Sequence, residues 1–454
     1  MYTLLKKTYL VPLALAISCS TYAQEKKDNQ LDVGLQLMTH GEARYGGLDE
    51  ATSENPEPEK KAYFIMERTR LNIDYRRAFH TDGEPQGSST QLEARVSAQH
   101  KGIWGQNGQG SFNFYEAWAK LSLRNGMFAQ VGRQALSYDD ERIIGPNDWA
   151  MAALSHDVLR LGYEGHGHKA HAILAYNQNA ENTTGGTYYA NGSQPYKTMH
   201  TLWYHYDVPK IYLGASILFM NIGLQGGLKG GEGDDVPRTR YQQLIGGYLS
   251  FKPRRLSVEA SYYHQLGRNE HNTKINAWMA SVSSQYSFNN HVSVLAGYDY
   301  LSGDPHFAVP GKGQIGMSRH SVIKGFNPVY GSHHKFYGMM DFFYVSTYLN
   351  GFTPGLQNLY AGAEYSPIKQ LNLKVRYHYM ATATKLEDID KSLGHDVDLE
   401  ASYQLMKDAR ISVGFSYMDG TETMERLKRS DEGNNLKWGW FSLTISPRIF
   451  TTKW

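Results

Sequence analysis

A side-chain period of two recurs along most of this chain and limits what it can become. In 371–379, Leu371, Leu373, Val375, Tyr377 and Tyr379 share one side, while Asn372, Lys374, Arg376 and His378 share the other. Val397, Leu399, Ala401, Tyr403 and Leu405 alternate with Asp398, Glu400, Ser402 and Gln404, and Ile411, Val413, Phe415 and Tyr417 with Arg410, Ser412, Gly414 and Ser416. Side chains of an extended strand project to opposite faces in turn, so this pattern specifies strands with one apolar and one wet face. Two all-β architectures use many such strands. A soluble sandwich packs the apolar faces together, and a membrane barrel turns them to lipid around a polar interior.

Composition and the chain start favour the barrel. Mean hydropathy is −0.52 over 454 residues, and beyond the first twenty or so residues no apolar run approaches the ~18 needed for a membrane-spanning helix. Lys6 and Lys7, the apolar run Tyr9–Ile17 and the small-residue site before Gln24 read as a signal peptide over 1–23, leaving 24–454 as one exported domain. Cys19, the single cysteine, leaves with that peptide, which excludes disulfides and thiolate chemistry in the mature chain; its acylation in a lipoprotein is the weaker alternative. Removing two Lys and no acid leaves 44 basic against 44 acidic residues, a balance that does not suggest nucleic-acid binding. Tyrosines cluster where alternating segments stop, at Tyr204 and Tyr206, Tyr262 and Tyr263, Tyr298 and Tyr300, Tyr377 and Tyr379, as in the aromatic girdles of barrels.

Nineteen segments qualify as strands: 32–45, 62–77, 91–104, 112–124, 126–137, 156–164, 168–177, 199–207, 211–221, 240–251, 255–265, 275–286, 291–301, 335–345, 357–366, 370–380, 394–405, 409–418 and 436–446. Barrels of this class use even numbers, with short periplasmic turns and long extracellular loops. The short connections at 125, 165–167, 208–210 and 252–254 conflict in up/down parity with those at 367–369 and 406–408 unless 335–345 does not span. Eighteen antiparallel strands then remain, and 302–356 becomes one long outer excursion able to fold into the lumen. The 78–90 connection is long for a periplasmic turn, and Pro447 interrupts the closing strand. Few residues separate Gln24 from the first strand, leaving no room for the plug of a TonB-dependent transporter.

With apolar faces toward lipid, the opposite faces line the lumen, because Lys or Arg at mid-bilayer costs about 2–4 kcal/mol. The expected pore-lining set is Arg68, Arg70, Asp74, Arg76, Glu93, Arg95, Glu116, Lys120, Arg124, Arg160, Glu364, Lys374, Arg376, Asp398, Glu400 and Arg410, with Lys101 and Glu259 inward by the same rule. Tyr115, Ala117, Ala119, Leu121 and Leu123 fall on the lipid side. Inward bases concentrate in the first third of the strands, where they would attract an anionic or polar saccharide. A salt-bridged wall of a non-selective general porin is the alternative. A barrel enzyme is a weaker one, since neither a G-x-S-x-G nor a phosphate-loop motif is present. His166, His168 and His171, the pair His333–His334, and Asp139, Asp140, Glu141 and the GGEGDD run at 230–235 are weak metal candidates without ligand spacing, so no metal or cofactor is expected.

The stretch Phe114–Trp149 contains EAWAKLSLRNGMFAQVGRQALSYDDERIIGPNDW, with a GRQ-x-x-x-Y motif followed by R-x-I-G and an aromatic. It resembles the alginate export family of outer-membrane barrels. GYDYLSGD at 297–304, HKFYGMMDFF from His334, GLQNLY at 355–360 and LGHDVDLEASYQL from Leu393 look like further family blocks. The resemblance implies an 18-stranded monomeric porin of the cell outer membrane, embedded in lipid and lipopolysaccharide, whose Arg-rich lumen passes the anionic polysaccharide alginate. Two departures stand out. Asp139 occupies a position where Gly is usual, and the 46–61 connection looks like an insertion. Arg133 and Arg142 belong to the motif, and alternation with Ala129 and Val131 puts Arg133 on the lipid side unless a bulge or the rim intervenes.

Overall fold

The computed structural model describes residues 28–46, 61–80, 89–106, 108, 110–178, 196–226, 238–304, 322–341, 353–386, 389–428 and 435–454. The signal segment, most of 46–61 and the GGEGDD run lie outside the described residues. Twenty strands form one sheet. They are β1 Asn29–Tyr45, β2 Lys61–Phe79, β3 Thr90–Ile103, β4 Ser111–Ser122, β5 Met127–Gln134, β6 His156–Gly165, β7 His168–Tyr176, β8 Thr198–Val208, β9 Leu213–Gly226, β10 Arg238–Phe251, β11 Leu256–Arg268, β12 Lys274–Ser287, β13 Val292–Leu301, β14 Val322–Ile323, β15 Leu356–Ile368, β16 Leu371–Ala381, β17 Ser392–Met406, β18 Ala409–Gly420, β19 Asn435–Ile445 and β20 Arg448–Lys453. One short helix, α1 Glu422–Lys428, follows β18.

Every long strand pairs antiparallel with its sequence neighbour, and β1 closes the ring. One edge of β1 pairs with β2; the other pairs with β19 from Leu37 to Tyr45 and with β20 from Gln30 to Gly34. β19 and β20 are thus two halves of one stave, and β14 is a two-residue parallel bridge to Lys274 and Ile275 in the long β13–β15 connection. Eighteen staves remain, a closed barrel with no free edge. Pro447 sits at a bulge where the register on β1 shifts between Val33 and Gly34. Its missing N–H removes no ladder bond there, while its carbonyl accepts from Leu35 N at 3.0 Å. The segment 335–345 is not a stave, and its described part begins with a 3-10 turn at His333–Lys335.

Alternation places the side chains. Leu71, Ile73, Val131, Leu161, Leu202, Ile217, Leu249, Val282, Leu399, Val413 and Phe415 are exposed on the outer face, whereas Arg68, Gln99, Gln130, Thr201, Gln265, Asp299, Asn358 and Asp398 are buried on the inner one. A soluble sandwich reverses this distribution. Two expectations need correction. Tyr115 faces inward beneath the Arg70 guanidinium, 3.8 Å from its ring centroid, because a bulge lets Ser97 pair with Glu116 and Ala98 with Phe114. The extra residue flips the alternation, so Phe112 and Phe114 take the outer face. Tyr263 likewise points inward, since consecutive strand residues cannot share a face; Tyr262 alone of that pair is outside.

Gly132 shows how the motif depends on backbone freedom. Its φ is +116°, and a Cβ would lie 2.2 Å from the Ala117 carbonyl oxygen on β4. A side chain there meets both a left-handed-region penalty of about 1–3 kcal/mol and a backbone clash. Gly132→Ala is expected to lower the thermal unfolding midpoint of the detergent-refolded barrel by several degrees, read by heat-modifiable gel mobility. An unchanged midpoint would show that β5 has other room to adjust.

Candidate functional site, a constriction built by two interior loops

The β5–β6 connection, 135–155, turns into the barrel and crosses it. Asp139 has φ +54°, the left-handed region that favours Gly and that Asp is one of the few other residues to tolerate. The turn delivers its carboxylate to three donors on three strands: Trp203 Nε1 on β8 at 3.0 Å, Ser216 Oγ on β9 at 2.5 Å and Tyr263 OH on β11 at 3.2 Å. Arg142 is 3% exposed, pairs with Asp140 and with Asp299 of β13, each at 2.8 Å, and stacks 4.0 Å from the Phe336 ring. Further on, Asp148 takes Arg70 Nη1 at 2.7 Å and Arg68 Nη1 at 3.3 Å, while Arg68 also donates to the carbonyls of Asp148 and Ala150. Trp149 stacks on His334 at 4.2 Å and meets Trp440 edge-on at 4.6 Å.

The described part of the β13–β15 connection, 322–341, packs against the first loop. Ile144 bridges Tyr330, Ser332 Oγ accepts from Asn147 N at 3.0 Å, and Lys335 pairs with Glu141. It is also tied to the wall. Gln265 of β11 brackets Asn327 through its carbonyl and amide, Asn358 of β15 donates to the Phe336 carbonyl, and Met339 N donates to Asp398 of β17 at 3.0 Å. Behind these contacts a polar belt crosses five staves: Asn358 donates to Asp299 and bonds His378, which lies 3.6 Å from Asp398, and Ser416 donates to Asp398.

The sequence-derived site residues fall into three groups and a remainder near the short-turn end. Arg76 pairs with Glu93 at 3.2 Å, Arg95 with Asp74 at 2.7 Å and Glu116 at 3.1 Å, and Lys374 with Glu400 at 3.3 Å, forming ladders along the wall. Arg68, Arg70, Asp398 and Arg376, the last through the Lys335 carbonyl at 3.5 Å, hold the interior loops. Lys120 and Arg160 flank the Phe128 ring at 4.6 and 5.3 Å, with Gln130 as the hydrogen-bond acceptor for Arg160. Glu364 borders a cavity at the short-turn end, Arg410 is exposed near the start of β18, and Arg124 lies in the β4–β5 turn. Lys101 lies near the outer end of β3, while Glu259 pairs with Lys252 at 2.7 Å.

Arg133 stays on the outer side, as alternation with Val131 requires, and is paired with Asp157 at 2.7 Å. Asp139, Asp140 and Glu141, weak metal candidates by sequence, are loop anchors inside the barrel. His171 bonds Tyr138 and Glu164, His333 bonds the Pro328 carbonyl, and His334 bonds Asp341. Sequence reasoning missed the crossing loop, with its Asp148 and Trp149, and its wall partner Asp299. The signal available was the left-handed requirement at Asp139 followed by a dense run of charge.

The loops carry a pH dependence. Burial pulls His333 down to about 3, against about 6.5 in an undocked segment. The undocked segment binds the extra proton, so this contribution is complete above about pH 6.5 and is lost as pH falls toward 3. Glu141 acts in the same direction: burial raises it, but Lys335 and Ser137 hydrogen bonds outweigh that and hold it below its ordinary value. Bilayer recordings at pH 4 should therefore show more current fluctuation than at pH 7, and steady current across that range contradicts this reading.

A family model described as alginate export matches residues 76–425. The chain belongs to the alginate export family. Its fold is similar to crystal structures of OccAB4 from Acinetobacter baumannii, at 12% identity and TM-score 0.58 over 94% of this chain and 99% of that one, and of OccK9 (OpdG) from Pseudomonas aeruginosa, at 12% and 0.57 over 92% and 98%. OccK2 (OpdF) from Pseudomonas aeruginosa, solved in complex with glucuronate, matches at 11% and 0.56 over 92% and 98%. No curated protein matches the chain. This alginate export family member is an outer-membrane β-barrel channel, and its family and structural neighbours are transport channels rather than enzymes.

Proposed function

We propose that this channel passes an anionic or polar saccharide by diffusion, a uronate chain such as alginate being the fitting class, and that its interior cations select the solute. One observation carries the reading: on the β2–β6 wall, Arg68, Arg70, Arg76, Arg95, Lys101, Lys120 and Arg160 share the inner face with Asp74, Glu93, Glu116, Glu164 and the loop's Asp148. Seven cations against five carboxylates leave that wall electropositive in a narrowed, low-dielectric passage. The glucuronate bound to OccK2 supports an acidic sugar as cargo for a barrel of this shape. In this reading residues 1–23 direct export, 24–454 act as one monomeric domain in lipid and lipopolysaccharide, and the sequence-derived wall residues line the path.

The ion-paired ladders favour a second reading, a general porin whose wall charges hold the barrel open. Oligouronates and neutral oligosaccharides of equal length separate the two. Interruptions of single-channel current by the uronate at concentrations at least tenfold lower than by the neutral sugar support selection; equal potency supports the general porin.

A further inference from the structure

Two cavities open at the short-turn end, and they differ in charge. The larger, about 620 Å³, has Arg76, Arg95, Lys407 and Arg448 on its lining together with Asp32, Asp74, Glu93 and Asp408. It is balanced, and Arg76–Glu93, Arg95–Asp74 and Arg448–Asp32 are ion pairs. The other, about 450 Å³, lies between the β10–β11 and β12–β13 turns and the β15–β16 wall. Arg254, Arg255 and His291 line it against one acid, Glu364, and the remaining polar lining is largely amide and hydroxyl.

The cationic cavity is built rather than incidental. Arg255 Nη1 donates to the Phe288 carbonyl at 2.8 Å, which fixes its guanidinium across the turn. His291 Nδ1 is engaged by the Ser366 carbonyl at 2.6 Å, leaving Nε2 as its second polar group. Asn289 accepts from the amides of His291 and Val292 and holds the β12–β13 turn closed. Arg254 takes φ +49°, a conformation that costs a non-glycine residue free energy. Gln285, Ser293, Glu364 and Asn372 share the inner-face parity of their strands, so the cavity opens to the interior and not to lipid. Directly above it on the same wall, Glu364 pairs in register with Lys374, and Arg376 lies two residues further toward Lys335 of the interior loop.

We propose that this cavity is a docking subsite for a carboxylate of a uronate chain at the periplasmic mouth, the first of a series of cationic steps that continues through Lys374 and Arg376 to the constriction. The inference rests on the anionic-saccharide reading and adds a sidedness to it. The two guanidiniums, that of Arg255 fixed across the turn, donate charge-assisted hydrogen bonds to a carboxylate, each strong enough to change affinity about tenfold or more. Glu364 opposes a permanently held anion and keeps release fast, as conduction requires.

The test is block of single-channel current by an oligouronate added to one bath at a time, with channels of known orientation. Arg254→Ala/Arg255→Ala should weaken periplasmic-side block about tenfold or more and leave extracellular-side block within twofold, while the Arg→Lys pair retains most of it. Glu364→Gln, which leaves the turns intact, should strengthen periplasmic-side block several-fold. Wild-type block from both sides that neither variant changes overturns the docking proposal alone. Absence of block from either side in the wild type overturns both this proposal and the anionic-saccharide reading.

Discussion

Asp139→Ala is expected to release the crossing loop and to raise single-channel conductance, with the current becoming unsteady. Three donors from β8, β9 and β11 converge on this one carboxylate. Hydrogen bonds to a charged group contribute about 1.5–3 kcal/mol each, and three sharing one acceptor add less than their sum, so a loss of about 3 kcal/mol in loop docking is the scale expected. The loss is compounded because Tyr263 and Ser216 are left buried without that partner. Asp139→Gly separates the two parts of the role: it keeps the left-handed turn and removes only the hub. If Asp139→Gly conducts like the wild type while Asp139→Ala does not, the backbone conformation rather than the carboxylate holds the loop, and the hub assignment fails.

Arg68→Gln/Arg70→Gln should move the reversal potential in a salt gradient toward cation preference, and Asp148→Asn should move it the other way. The two guanidiniums share the Asp148 carboxylate at 3.3 and 2.7 Å, so the double variant leaves a lone acid at the constriction and the single variant leaves two lone bases. Arg68 and Arg70 are buried but Asp148 is about half exposed, so removing one side costs less than the ~3–5 kcal/mol of a fully buried pair, and both variants also loosen the loop. Loosening acts alike in both, whereas selectivity shifts in opposite directions. Shifts of the same sign in the two variants would mean that these charges hold the loop without setting the field.

The barrel itself was legible because alternation and turn spacing are local properties of the chain. Period-two stretches such as 371–379 place each side chain on a face without reference to anything distant, and connection parity removed 335–345 from the wall. Reading failed where one residue is added or where the chain leaves the wall. The extra residue opposite Ser97 and Ala98 reversed the side taken by Tyr115, a shift that composition does not reveal. The constriction was only half legible. The 302–356 excursion announced itself by length, but 135–155 is short enough to pass for an ordinary surface loop. Its destination depends on Trp203, Ser216, Tyr263 and Asp299, which are 64 to 157 residues away from their partners in sequence. The guanidiniums that strand parity turns inward are largely partnered, because neighbouring inner-face positions such as Asp74 and Arg95 stand opposite each other in register.

A planar-bilayer reversal potential across a tenfold salt gradient, recorded on the purified wild-type barrel at neutral pH, tests the central point most directly. An electropositive passage through the constriction requires a potential of the sign set by anions; a cation-signed value, or none, would contradict it.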